Sequence, residues 1–145
     1  VHESALPQGR GWSPLSWQIL EGENEVYITL LDAADEVDSG VIFLQDKMTF
    51  DGSELIQELR ATQAQKTFKL CRDFLRRPEE ISGNAQKQQG DISFYPRRLP
   101  EDSNLDVNKS ILDLFNHLRI ADPVRYPSFF RLGNSKYKVT IQKFD

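Results

Sequence analysis

Two β-branched, ring-bearing stretches, EVYITLL and GVIFL, flank a polar turn at residues 32–40, and this pairing constrains the fold more than any other feature of the chain. Side chains that branch at Cβ pack well on a pleated surface, so strands are predicted over Val26–Leu31 and from Val41 onward. Val41–Leu44 is apolar at every position, which predicts a strand start buried on both faces. The connecting EVDSG reads as ordinary turn chemistry.

Helices are predicted around this pair. Ser13-Pro14 reads as an N-cap followed by a first helical position, because Ser can accept from an orphan N–H and Pro gives up none the helix needs. That helix should run to about Leu20 and stop near Gly22. Asp51 and Glu54 have capping-box spacing ahead of a long helix, whose residues Leu55, Ile56, Leu59, Ala64, Phe68, Cys71, Phe74 and Leu75 trace a drifting apolar stripe. The helix should end before Pro78, with Lys66, Lys69, Arg72 and Arg76 on a solvated opposite side. Cys71, the single cysteine, reads as a buried, inert thiol.

Further on, SGNAQKQQGD reads as a loop and FYPRRLPEDSN as an extended segment held by its two prolines. Ile111, Leu114, Phe115 and Leu118 follow i, i+3, i+4, i+7, which predicts a helix over 107–119. Gly133-Asn134 then separates an aromatic run from alternating Tyr137, Val139 and Ile141, the signal of a β-hairpin. The fold class expected is α/β, and 145 residues suffice for a real core.

Charge is uneven. Residues 1–50 carry nine acids against Arg10 and Lys47, whereas 51–145 carry 13 acids against 16 bases, for a net charge of −4. That balance disfavours broad nucleic-acid binding and leaves room for a basic patch in the second half. No apolar run approaches the roughly 18 residues of a membrane helix, and no secretory pattern opens the chain, so no membrane partner and a cytoplasmic location are expected.

Candidate chemistry is sparse. His2 is a titratable group at the expected end of a strand, followed by a Leu6-Pro7 turn and a loop with Gly9 and Gly11, and strand ends in α/β sheets are where ligands bind. A lone histidine is more often structural. Asp38 in the EVDSG turn could reach His2 if their strands are neighbours, and a His–Asp pair would fix the imidazole tautomer and support its protonated form. Two distant histidines and one cysteine give no metal constellation, and no phosphate-loop, dinucleotide or nucleophile-elbow motif occurs.

HESALPQGRGWSP followed by DAADEVDSG resembles the H-x-S-x-L-P-x-x-R-G-x-x-P … D-x-G signature of the folate-dependent formyltransferases, a family that includes methionyl-tRNA formyltransferase, glycinamide ribonucleotide formyltransferase and the sugar N-formyltransferases. The segment from Pro96 to Val139 is similar to the part of those enzymes that leaves the catalytic domain, forms a helix and enters a small β subdomain. The resemblance implies a C-terminal part of a catalytic domain at 1–96 and a linker, helix and hairpin subdomain at 97–145. It implies His2 as the catalytic histidine and Asp38 as its partner. Ser4, Leu6 and Pro7, with Asp38, would border the folate, while Arg10, Gly11 and Pro14 match structural positions. The family's catalytic asparagine has no counterpart, since only Val1 precedes His2, so this chain is expected to be part of a longer enzyme and weak alone.

The implied reaction moves a formyl group from 10-formyltetrahydrofolate, the cosubstrate, to an amine. A net charge of −4 and a short region after the hairpin favour the amino group of a nucleotide-linked amino sugar over tRNA. In that reading Arg97 and Arg98 meet a diphosphate, and Trp12 or Tyr126 stacks on a base or sugar. The bland alternative pairs the two arginines with Glu101 and Asp102 and packs the aromatics into the subdomain. Rival readings are methionyl-tRNA formyltransferase, a deformylase using the same His–Asp pair, and a non-catalytic fragment that self-associates, for instance as a homodimer, through an unprotected sheet edge.

Overall fold

The two apolar stretches pair as expected. In the computed structural model, which describes residues 1–144, β2 (Glu25–Leu31) and β3 (Ile42–Thr49) form an antiparallel ladder with Val26 opposite Met48 and Ile28 opposite Asp46. Alternation along β2 sends Val26 and Ile28 into the core with no exposure at all. Ahead of them, α1 (Pro14–Leu20) contributes Leu15 and Ile19, and α2 (Ile56–Arg76) lies across the sheet with Leu59 and Leu70. Met48, Phe50 and Ile120 complete this cluster. Burial of each such side chain stabilises the fold by about 1.5–3 kcal/mol.

Two minor strands complete this region. β1 (Arg10–Gly11) runs parallel to β4 (Phe94–Tyr95), and α3 (Pro78–Gly83) caps the return from α2. After a 3₁₀ turn at Pro100–Ser103, α4 (Phe115–Arg119) leads into the hairpin of β5 (Ser128–Leu132) and β6 (Ser135–Val139). A second cluster of Leu105, Leu114 and Leu118 packs under Phe130, Val139 and Ile141. Ile120, just past α4, crosses back into the first cluster and so joins the two. Among the described residues no helix is long and apolar enough to cross a membrane.

Several expectations are corrected. Ile42, Phe43 and Leu44 are half-buried rather than buried on both faces, because α2 and α3 cover one side of a two-stranded sheet. The apolar stripe of α2 is misplaced: Phe68 is 74% and Leu75 77% exposed, while Leu70, which the stripe omitted, is buried. Lys66 and Lys69 are not simply solvated, since both reach Asp46 on β3, at 3.1 and 3.2 Å. Cys71 is half-buried. The capping box forms one turn later than predicted, where the Glu58 carboxylate accepts the Leu55 N–H at 2.8 Å. Glu54 instead accepts the N–H groups of Asp51 and Gly52.

Ser13 precedes α1 as expected but sits in left-handed geometry, φ 52°, and makes no side-chain cap. The helix over 107–119 shrinks to Phe115–Arg119, preceded by turns, and Ile111 and Leu112 are exposed. The extended reading of 94–104 fails at Pro100–Ser103, where Asp102 accepts the Leu99 N–H at 2.6 Å and winds the chain into a turn.

Candidate active site

The site is built on the edge of β2. His2 exchanges both backbone hydrogen bonds with Thr29, each 2.8 Å, which fixes the residue beside the strand. Its ring is buried, with 6% of the residue exposed. Nε2 donates to the Gly9 carbonyl at 2.7 Å, and Nδ1 lies 3.5 Å from Asp38 Oδ2. The same Oδ2 accepts the Gly11 N–H at 2.9 Å. Gly9, immediately before strand β1, therefore anchors the imidazole, and Gly11, within β1, the carboxylate. Since a carbonyl and a carboxylate only accept, the ring serves both oxygens fully when doubly protonated.

Two backbone features hold the pair. Asp38 adopts φ 54°, a left-handed conformation that Asp tolerates better than most residues. Gly40, two residues on, lies so close to the Asp32 carbonyl that any Cβ would collide with it. The neighbouring loop is equally tight at Gly9, where φ is +68° and a Cβ would stand 2.8 Å from the Tyr95 ring. The 32–40 turn thus closes on itself and presents the Asp38 carboxylate inward.

Ser4, Leu6 and Pro7 are buried in the stretch leading to Gly9, and none of the three lines the cavity beside Asp38. Their placement supports the loop's shape. Only Ser4 leaves an uncommitted polar atom, a buried Oγ with no hydrogen-bond partner, beside a 140 Å³ cavity lined in part by Gln8, Gly9 and Ser93. A larger cavity of about 340 Å³ opens beside Asp38, bounded by Val1, Leu31 and residues 32–38.

Trp12, Arg97, Arg98 and Tyr126 line one cleft of about 270 Å³ together with Arg60 and Arg125. Trp12 follows Gly11 directly, and its N–H bonds the Tyr95 carbonyl at 3.1 Å, so the cleft begins one residue beyond the Asp38 anchor. The bland pairing is only partly met: Glu101 engages Arg131 at 3.0 and 3.2 Å, and Asp102 accepts the Leu99 N–H in the 3₁₀ turn while its charge still favours the Arg98 cation, whose Nη2 donates to Ser103 Oγ at 3.2 Å. The guanidinium of Arg97 instead sits 5.3 Å from the centre of the Trp12 ring, and that of Arg98 5.5 Å from Tyr126. One face of each ring is thereby occupied, yet Trp12 remains 57% exposed and is not packing the subdomain. Arg98 is 94% buried, keeps an unpartnered Nε, and has its pKa pushed down by that burial.

Sequence reasoning missed three contributors here. Arg60 is held at 2.8 Å by Asp122, whose carboxylate also accepts the N–H groups of Val124 and Arg125, both at 2.9 Å. The Arg125 and Val124 N–H groups and the Arg60 charge push the Asp122 pKa down to about 2. The Asp-Pro step in ADPVRYP was the available signal, as it favours a side-chain-to-backbone turn. The stability this carboxylate adds is complete above its ordinary pKa of 3.8 and is lost as pH falls toward 2. Denaturation midpoints measured from pH 5 to 2 should accordingly fall less steeply for Asp122→Asn than for the wild type.

No protein-family model matches the chain. Methionyl-tRNA formyltransferase of Streptococcus thermophilus is 33% identical over 141 residues, covering 94% of this chain and 43% of that protein. Among solved structures, methionyl-tRNA formyltransferase from Clostridium thermocellum superposes with a TM-score of 0.76 at 24% identity, over 99% of this chain and 62% of that one. A 4-N formyltransferase from Francisella tularensis gives 0.74 at 20% identity, over 99% and 61%. The chain spans less than half the length of the curated relatives it matches.

Proposed function

We propose that this chain, which belongs to the folate-dependent formyltransferase family, carries the histidine and aspartate of an enzyme that formylates the amino group of a nucleotide-linked amino sugar. The observation that carries the reading is the approach of His2 Nδ1 to Asp38 Oδ2 at 3.5 Å, with one cavity beside Asp38 and a second cleft beginning at Trp12, next to the Gly11 whose N–H holds that carboxylate. The first includes Asp32, Asp35, Glu36 and Asp38 in its lining, and the second includes arginines and aromatics.

The first cavity suits a reduced pterin, whose amino and ring N–H groups need acceptors of the kind the carboxylates of Asp32 and Asp35 offer. 10-Formyltetrahydrofolate bound there supplies the formyl carbon as electrophile. In its neutral form, with Nδ1–H toward Asp38 and Nε2 released from the Gly9 carbonyl, His2 takes at Nε2 the proton that the acceptor amine sheds as its nitrogen bonds to that carbon, and returns one to the departing nitrogen. Protonated, the ring also faces the negative charge that develops on the formyl oxygen. Asp38 orients the ring and balances its charge, and the burial of His2 keeps water from competing.

The second cavity fits the diphosphate and base of the acceptor. Arg97 and Arg98 bring paired donors for phosphate oxygens, and the exposed part of Trp12 offers a stacking surface. In the full-length protein, calorimetric titration with a nucleotide-linked amino sugar should show a Kd raised about 10- to 100-fold by Arg97→Glu together with Arg98→Glu, on the scale of lost hydrogen bonds to a charged group. Unchanged affinity would assign the arginines to structure.

A second reading, formylation of methionyl-tRNA, is favoured by the similarity in sequence to methionyl-tRNA formyltransferases. Turnover of methionyl-tRNA, with salt-sensitive binding and no reaction on nucleotide-linked amino sugars, would select it.

A further inference from the structure

Gln88 lies in the polar stretch SGNAQKQQGD, yet its side-chain amide is fully engaged. Its Oε1 accepts from Arg10 Nε and Nη2, at 3.2 and 2.6 Å. Its Nε2 donates to the backbone carbonyls of Asp38 and Gly40, at 2.7 and 2.8 Å. The amide can face only this way, because a guanidinium only donates and carbonyls only accept.

We infer that Gln88 is the positioning residue for Asp38: with buried Arg10 behind it, it pins both ends of the Asp38–Gly40 turn to strand β1 and thereby sets the distance between carboxylate and imidazole. This rests on the reading of Asp38 as the partner of His2. Arg10 stands between Gly9, whose carbonyl accepts from the His2 ring, and Gly11, whose N–H holds the Asp38 carboxylate. One amide therefore ties the turn to the residue between the two that anchor the catalytic side chains. Apart from His2, the contact that fixes the Asp38 side chain is the Gly11 N–H, so the carboxylate goes where the turn backbone goes.

Gln88 touches no reacting atom in this scheme, and its role has a signature that plain structural support lacks. Gln88→Glu keeps the volume and the acceptor for Arg10 but has no N–H for the two turn carbonyls. In the full-length enzyme it should lower kcat about 10-fold or more while KM for the formyl donor stays within about twofold, since small displacements of catalytic groups fall on the chemical step. In an Asp38→Asn background the same change should cost less than about twofold, because the group it positions is already gone. Amide hydrogen exchange at Gly11 should quicken about 10-fold, while Phe50, whose N–H bonds the Asn24 carbonyl at 2.8 Å in the core, stays unchanged.

Gln88→Leu, which removes every bond of the amide, should reproduce both results and serves if the glutamate variant fails to fold. An equal loss of kcat in the two backgrounds, or Gly11 exchange that does not respond, overturns the inference. Should Asp38→Asn leave turnover intact, the catalytic reading of Asp38 fails, and Gly11 exchange alone then decides whether Gln88 sets the carboxylate.

Discussion

Replacing His2 with Asn is expected to lower kcat for formyl transfer in the full-length protein by about 100- to 10,000-fold, the range that a positioned general acid–base supplies. Asn is close enough in size to fill the buried space and can still donate toward the Gly9 carbonyl, but it cannot take up and return a proton at neutral pH. KM for the formyl donor should move little, because the ring acts on the reacting atoms and not on the pterin. Asp38→Asn should cost less than the His2 variant, since His2 remains fixed by Thr29 and Gly9. Stopped-flow or quenched-flow assays with far-ultraviolet circular dichroism as a fold check decide the matter, and turnover within about threefold of wild type for the His2 variant would remove it from the mechanism.

The second large effect concerns stability. Arg119 is 1% exposed, and its guanidinium donates from Nε to the Glu54 carbonyl at 2.9 Å, from Nη2 to the Glu54 carboxylate at 2.8 Å and from Nη1 to Asn24 Oδ1 at 3.0 Å. These bonds tie the end of α4 to the turn before β2 and the turn before α2. Arg119→Met would leave a largely buried carboxylate without its counter-charge, for which about 3–5 kcal/mol is the usual cost. A value near the lower end is expected, because Glu54 retains the Asp51 and Gly52 N–H groups. Urea unfolding should show a lowered midpoint at unchanged slope, whereas Arg72→Met on the exposed side of α2 should stay within about 0.5 kcal/mol. Equal effects for the two would deny the bracket its role.

Neither network was equally readable beforehand. The pairing of His2 with Asp38 rested on a conditional, that the residues around His2 run beside Val26–Leu31, and the ladder with Thr29 meets it. Arg119 sits in NHLRIAD with nothing to separate it from the solvated arginines of α2, because a charge buried by distant partners leaves no local pattern. The same holds for Gln88, whose four bonds go to residues 48 to 78 positions away. Phe68 and Leu75 fail in the opposite sense: helical periodicity marks an apolar stripe but not which neighbour covers it, and the sheet covers Leu59 and Leu70 instead.

By itself the sequence determined what depends on neighbours in the chain: β2 and β3 from their branched residues, α1 from Pro14, the stop of α2 before Pro78, the hairpin around Gly133-Asn134, and the motif that marks His2 and Asp38. Tertiary structure alone decided which face of α2 is inside, how short α4 is, that Arg97 and Arg98 lie against aromatic rings, and that Gln88 and Arg119 are brackets. The division has one physical cause. Local dihedral preference and side-chain period act within a few residues, whereas the burial of a polar group is offset only by partners that the folded chain brings from far away.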